Sequence, residues 1–296
     1  MRTIAAVVTG FIFMIAFNQV YAGNSSLLQQ EELQDDPSVV VNRPVNVQGL
    51  TGLIMTNSAY TQPKGRIVAG LSTIAENSKD PDFSIVQGIA TVTAGIADRV
   101  EFGMRAHVVG TNLGSSETRE IGAGDTDLLL KWRVSSQGET LPALAFGLAY
   151  TLPTGNSEKG LRGVEHEGAR IMVIGTSEKE MPGDYFIGVY FEGQVVSQDW
   201  TTRTDANPRS DKYGVVNAGL LFPLTEDRSL QAVLEYTTIF KKDTPSVYEE
   251  NHRSTMPGLR YVTENFNMSL GVQFYQRDAA GASNDERYVG TISYAF

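Results

Sequence analysis

The stretch that decides the fold is Glu286 to Phe296, ERYVGTISYAF, at the C-terminal end of the chain. Its residues alternate between two sets, and a period of two is typical of a β-strand whose two faces meet different surroundings. The chain therefore ends on a strand whose final residue is aromatic. One face holds Tyr288, Gly290, Ile292, Tyr294 and Phe296, and the other holds Arg287, Val289, Thr291, Ser293 and Ala295.

The same alternation recurs at 100–109, 127–134, 185–195 and 266–275, where one face is apolar and the other is mixed or polar. From this pattern we predict twelve strands. They lie at 65–77, 83–96, 99–111, 124–135, 140–152, 168–178, 184–198, 212–222, 227–240, 255–263, 265–277 and 285–296.

The connections between these strands alternate in length. Tight turns, such as those at Asp98 and Glu264, are followed by long charged loops, such as 153–167 and 241–254. A soluble β-sandwich also has one apolar face per strand, but its connections have no reason to keep this rhythm. Short periplasmic turns and long outer loops are typical of single-chain outer-membrane barrels. We therefore predict an all-β fold, a transmembrane up-and-down antiparallel β-barrel of about 12 strands.

Closure of the barrel follows from the lack of water in a bilayer. An open sheet edge would leave backbone N–H and C=O groups without partners, so the C-terminal strand is expected to pair with the first strand at 65–77. Phe296, at the end of that strand, is the expected contact for the barrel-assembly machinery.

The N-terminus has the pattern of a signal peptide. Arg2 precedes an apolar run from Ala5 to Phe17, and the small residues expected before a cleavage site follow, the last of them Ala22. Residues 1–22 are therefore expected to be cleaved. Residues 23–48 are predicted to be a polar periplasmic segment, and 49–296 the barrel. The chain has no cysteine, which excludes disulfides and thiolate chemistry, and its net charge of −10 gives no electrostatic basis for binding nucleic acid.

Several short patterns carry a family resemblance. Gly122-Ala123-Gly124-Asp125 leads into a strand with Lys131-Trp132-Arg133, and after Leu141-Pro142-Ala143 the next strand ends at Pro153-Thr154-Gly155. Together with Gly49 to Ala59 (GLTGLIMTNSA), these resemble the outer-membrane transporter family named for the MetA (meta-cleavage) pathway of phenol degradation. The resemblance spans about residues 49–296, and Trp132 stands where the family more often has Tyr. It implies outer-membrane uptake in a Gram-negative bacterium without establishing phenol as the cargo.

Inward positions of the predicted barrel carry charges of both signs. Such groups either cross-brace neighbouring strands or line an aqueous path that selects ions, and the sequence leaves both alternatives open. Twelve strands lie between the filled eight-stranded barrels and the open porins of about 16 to 18 strands, so we expect a narrow or partly occluded lumen. The predicted pore-lining residues are Glu101, Arg105, His107, Asp127, Lys131, Arg133, Glu192, Glu235 and Gln273.

We expect a conduit for passive uptake of small solutes, with hydrophobic or aromatic ones as candidates, and no cofactor or chemical turnover. Its expected partners are outer-membrane lipid, lipopolysaccharide and the solute. One alternative is a structural or adhesive barrel whose outer loops bind partners. Another is a lipid-modifying barrel enzyme built around His107, but the sequence shows no serine paired with this histidine in a recognisable pattern.

Overall fold

The computed structural model of the chain describes residues 44–79, 82–113, 119–155, 168–181, 185–200, 209–241, 252–277 and 286–296. The predicted signal peptide, most of the predicted 23–48 segment and most of the loop at 153–167 lie outside these residues. In the part of the chain that the structure describes, no helix has the length and apolar character needed to cross a bilayer.

Twelve antiparallel strands form one closed barrel, and each strand pairs with its neighbours in sequence. The last strand closes the wall on the first, from Val68 opposite Ala295 to Asn77 opposite Glu286. The predicted fold class and closure are thereby confirmed. The strands are β1 Ile67–Lys79, β2 Asp82–Ala97, β3 Val100–Leu113, β4 Arg119–Ser135, β5 Ala143–Leu152, β6 Gly168–Met181, β7 Tyr185–Trp200, β8 Arg209–Pro223, β9 Leu230–Lys241, β10 His252–Val262, β11 Phe266–Arg277 and β12 Glu286–Ala295.

The start of β4 is the largest difference from the predicted strand boundaries. It lies at Arg119, five residues before the predicted start, because the ladder to β3 continues past a β-bulge. Ala106 pairs with Thr126, but Val108 pairs with Ala123, so the register shifts between them. Gly122 and Gly124, which belong to the motif that leads into the predicted strand, therefore lie within the observed strand.

The two faces of the wall differ as the alternation predicted. Leu130 and Trp132 of β4 point outward and are 40% and 53% exposed, whereas Lys131 between them is fully buried at 0%. The C-terminal strand follows the same rule, with Ile292 and Tyr294 exposed and the alternate side chains buried. An apolar outer face and a polar inner face suit a wall that lies in lipid and encloses a hydrated lumen.

The wall begins at Ile67, two residues after the predicted start of the first strand, and residues 49–62 of the predicted barrel domain precede it. Residues 44–62 lie inside the barrel, and every one is buried except Met55, which is half-buried. We call residues 44–62 the inserted segment. The described residues 44–48, predicted to be periplasmic, therefore belong to the lumen.

The inserted segment enters and leaves at one end of the barrel. Val45 packs against Val68 and Ala295, where β1 begins and β12 ends, and Lys64 forms a bridge with Gly95 near the end of β2. This end also carries the short connections β2–β3, β4–β5, β8–β9 and β10–β11, so we call it the short-turn end.

Candidate functional site

The candidate site is the lumen, where the inserted segment meets the charged side chains of the wall. The segment folds back on itself through bridges between Val45 and Thr51 and between Gly52 and Asn57. Gly49 turns the chain at the inner tip with a φ of 82°, in the left-handed region that favours glycine. These bridges pair only some of the backbone N–H and C=O groups of the inserted segment. Many of the other groups face the wall.

Glu101 of β3 binds two points of the inserted segment. Its carboxylate accepts hydrogen bonds from the backbone N–H of Thr51 at 2.9 Å and of Gln62 at 2.8 Å, and from the Thr51 hydroxyl. The Lys131 ammonium lies 3.0 Å away, and both charged side chains are fully buried. Lys131 also donates to the carbonyls of Thr51 at 3.2 Å and Ser58 at 3.0 Å. In this buried pair, Glu101 accepts hydrogen bonds from the segment and Lys131 donates hydrogen bonds to it, so both residues hold the segment in place.

Glu235 of β9 forms a second attachment on the far wall. Three consecutive backbone N–H groups donate to it: Ile54 at 3.2 Å, Met55 at 3.1 Å and Thr56 at 2.6 Å. Arg260 of β10 donates to the carbonyl of Gly52 at 3.0 Å. Groups at a turn that a sheet or helix would normally satisfy are here bound by charged side chains of the wall.

Glu192 of β7 provides a third attachment. Asn57 donates to it through its backbone N–H at 3.2 Å and its side-chain amide at 2.6 Å, and Asn217 of β8 donates at 2.9 Å. Three carboxylates on well-separated strands thus hold the inserted segment. Each hydrogen bond to a charged group is stronger than one between neutral groups.

Apolar packing also holds the inserted segment in the lumen. Val47, Leu53 and Ile54 join a buried cluster with wall residues such as Met256, and Leu50 joins a second cluster that includes Met172. Inward glycines leave room for this contact. A Cβ at Gly95 would lie 2.1 Å from the carbonyl oxygen of Pro63, one at Gly103 would lie 2.5 Å from that of Gly49, and one at Gly258 would lie 2.5 Å from Ile54 Cδ1.

A second polar cluster lies at the inner tip of the segment. Asp127 of β4 accepts from Arg105 Nε at 2.7 Å and from Thr151 at 2.5 Å, and His107 Nε2 lies 3.5 Å away. Arg105 also donates to the carbonyl of Val47 at 3.3 Å. The side chains of Arg105 and His107 are 13% and 18% exposed, so part of each remains accessible to solvent.

All nine predicted pore-lining side chains are buried or half-buried on the inner side of the wall. Glu101, Lys131, Glu192 and Glu235 bind the inserted segment, and Arg105, His107 and Asp127 form the cluster at its tip. The remaining two lie apart: Arg133 donates to the Asp98 carbonyl at 3.4 Å, and Gln273 donates to Ser254 at 2.8 Å.

The residues that carry the family resemblance meet across β4 and β5. Asp125 accepts from the backbone N–H of Gly155 at 2.9 Å, and the Thr154 hydroxyl donates to the carbonyl of Gly124 at 3.2 Å. Pro153 directly precedes this pair, and Gly122 lies opposite Val109 in the ladder to β3. These contacts fix the end of β5 against the bulged strand.

The geometry around His107 does not favour a nucleophilic pair. Its hydrogen-bonding contact is with Asp127, and no hydrogen bond in the described residues joins it to a serine. His166 lies outside the described residues, as does the side chain of His252. No group of three or more potential metal ligands occurs in the described part of the chain.

Sequence reasoning missed the inserted segment and its partners Arg170, Asn217 and Arg260. One available signal was the set of inward carboxylates: Glu192 and Glu235 have no lysine or arginine two residues before or after them on the same strand face, which indicated a need for other donors. The other was the run GLTGLIMTNSA at 49–59, noted only as part of the resemblance.

The barrel is similar to solved outer-membrane barrels. The COG4313 outer membrane channel from Pseudomonas putida F1 matches with a TM-score of 0.58 at 12% identity, over 80% of this chain and 98% of that chain. The NanC porin matches with a TM-score of 0.50 at 8% identity, over 76% of this chain and 98% of that chain. No protein-family model and no curated protein matches the sequence. At these identities the similarity shows the fold.

Proposed function

We propose that the protein is a conduit in the bacterial outer membrane that lets small solutes pass without chemical turnover. The observation that supports this proposal is that the backbone hydrogen bonds of the barrel wall do not depend on the inserted segment that fills the lumen. All twelve strands are hydrogen-bonded to each other around the barrel, and the inserted segment is attached to them by side chains and packing. The segment can therefore shift without opening a sheet edge to lipid.

The lumen supports a narrow path and not a wide pore. The inserted segment fills the short-turn half, where Leu50 and Ile54 are fully buried. Beyond its tip, Arg105 and His107 remain partly accessible. Passage from end to end therefore requires the segment to move. Two of the similar solved structures are a channel and a porin, which agrees with this proposal.

The finer features of the proposal come from the sequence. The resemblance to the MetA-related transporter family favours hydrophobic or aromatic solutes as candidates for the cargo. The apolar outer face would contact membrane lipid and lipopolysaccharide, and Phe296, 76% exposed at the end of the closing strand, would be available to the assembly machinery.

Planar bilayers test the conduit directly. Protein whose folding has been checked by its different gel mobility before and after boiling is expected to give discrete current steps. Liposomes that contain it should take up a small labelled aromatic solute faster than empty liposomes. If neither current nor uptake appears with well-folded protein, the conduit proposal fails.

A further inference from the structure

Arg287 of β12 is held in a fixed orientation on the inner side of the wall, at the end of the barrel opposite the short-turn end. Its Nε, at 3.0 Å, and its Nη2 both donate to Oε2 of Glu76, the residue of β1 that lies opposite it across the closing pair of strands. Its guanidinium also lies over the ring of Tyr275 of β11, with Cζ 4.9 Å from the ring centroid. Contacts with two different strands therefore orient the guanidinium.

Tyr275 is positioned in turn by its neighbours. Its hydroxyl donates to Gln273 Oε1 at 2.9 Å, and Gln273 Nε2 donates to the hydroxyl of Ser254 of β10 at 2.8 Å. The ring and the guanidinium above it are thus arranged before any solute arrives. A site that is arranged in advance loses less conformational entropy on binding.

Part of Arg287 remains accessible within the barrel. Its side chain is 26% exposed, and that of Glu76 is 15% exposed, although both point inward. Glu76 occupies one edge of the guanidinium and Tyr275 covers one face, so neither contact covers the opposite face. The carboxylate also balances the charge of Arg287, so the pair carries no net charge.

Apolar side chains lie between this pair and the inserted segment. Ile74 and Val289 are the next inward residues on β1 and β12, lie opposite each other, and are 8% and 2% exposed. They share a buried cluster with Val47 and Ile54 of the inserted segment. The accessible guanidinium therefore lies beside an apolar surface, on the side of the segment away from the short-turn end.

We propose that Arg287, stacked on Tyr275 and positioned by Glu76, binds the aromatic ring of a small uncharged solute. A guanidinium is planar and weakly hydrated, and it stacks on aromatic faces. One face of Arg287 already lies on Tyr275, and the opposite face is available to a solute ring. The neighbouring apolar surface favours an apolar ring over a hydrated ion. This inference rests on the proposed conduit, since it names the class of solute held at this site until the segment moves.

Methyl NMR on the full-length, detergent-folded protein tests the site without requiring conduction. Benzyl alcohol is the probe, and the Ile74 methyl signal, assigned by its loss in Ile74→Val, should shift saturably as the probe is added. Ile171, which is 58% exposed on the outer face, reports probe dissolved in the detergent. A response at Ile74 that rises without saturation, as at Ile171, would overturn the proposal.

Cyclohexylmethanol separates stacking from simple apolar contact, because it has the same hydroxyl group on a saturated ring. It should displace benzyl alcohol from Ile74 only at a concentration about fivefold higher or more, since it has no aromatic face for the guanidinium. Equal competition by an equal concentration of benzyl alcohol and of cyclohexylmethanol would overturn the proposal.

Two variants distinguish binding by Arg287 from a purely structural role of the ion pair. Arg287→Gln should weaken the binding of benzyl alcohol about fivefold or more. Glu76→Gln is the matched control, because it breaks the same ion pair but leaves the guanidinium on Tyr275, so binding should be largely retained. Unchanged binding in Arg287→Gln, or an equal loss in Glu76→Gln, would overturn the assignment. Gel mobility before and after boiling checks that each variant is folded.

Bilayer recordings separate this inference from the conduit itself. Current without saturable binding at Ile74 would leave the conduit intact and remove the aromatic site. Binding that depends on Arg287, without current or uptake, would support the site and contradict the conduit.

Discussion

At the scale of single residues, Glu235 shows how a buried charge holds a loop. It accepts three consecutive backbone N–H groups from Ile54 to Thr56. Glu235→Gln would replace one acceptor oxygen by a donor and leave at least one of these N–H groups unsatisfied. Amide exchange at 54–56, followed by mass spectrometry in proteoliposomes, should become about tenfold faster or more.

Glu180→Gln is the matched control for this prediction. Glu180 is exposed and pairs with Arg228 outside the lumen, so its loss should leave exchange at 54–56 unchanged. Protection at 54–56 that survives Glu235→Gln would show that packing alone holds the loop.

The buried pair of Glu101 and Lys131 makes a second residue-scale prediction. Lys131→Met leaves the Glu101 carboxylate without its cation, and removal of one member of a buried pair typically costs about 3–5 kcal/mol. Urea unfolding in lipid vesicles, followed by tryptophan fluorescence, should show a lower midpoint. The double variant with Glu101→Gln should recover part of the loss. A single variant as stable as the native chain would contradict the proposed strength of this contact.

At the scale of elements, the inserted segment depends on wall glycines that let its backbone approach. A Cβ at Gly95 would lie 2.1 Å from the Pro63 carbonyl and 2.4 Å from that of Gln62, so no side-chain rotation can relieve the clash. Gly95→Ala should lower stability by about 1–3 kcal/mol in urea unfolding. Gly193→Ala is the control, since nothing lies within 4 Å of a Cβ there. Equal midpoints for the two variants would show that the segment is not held this closely.

The strands were predictable from sequence because their signal is local. Alternation in β3, β4, β7 and β11 reveals both the strand and its outward face, and the C-terminal strand predicts closure. The inserted segment has no such period. Its position depends on contacts such as Asn57 to Glu192, which are 135 residues apart in sequence. No short window of sequence contains both partners, so the charged residues were recognised as inward-facing but their purpose was not.

At the scale of the whole molecule, a closed wall surrounds an inserted segment that the proposed conduit requires to move. The wall satisfies its own backbone and presents an apolar surface to lipid. The inserted segment joins this wall covalently only through β1 and is otherwise bound to the lumen side chains. Under the proposed function, the segment controls passage while the strands stay fixed.

The most direct measurement is the single-channel conductance of protein in which the inserted segment is tethered to the wall. Ser58 Oγ lies 3.4 Å from Thr176 Oγ1 of β6, and the chain has no native cysteine, so Ser58→Cys with Thr176→Cys allows one defined disulfide. The two single-cysteine variants are the controls under the same conditions. We predict low conductance when the pair is oxidised and a reversible rise on reduction. The same conductance in both states, with the disulfide verified by mass spectrometry, would contradict the claim that solutes pass by displacement of this segment.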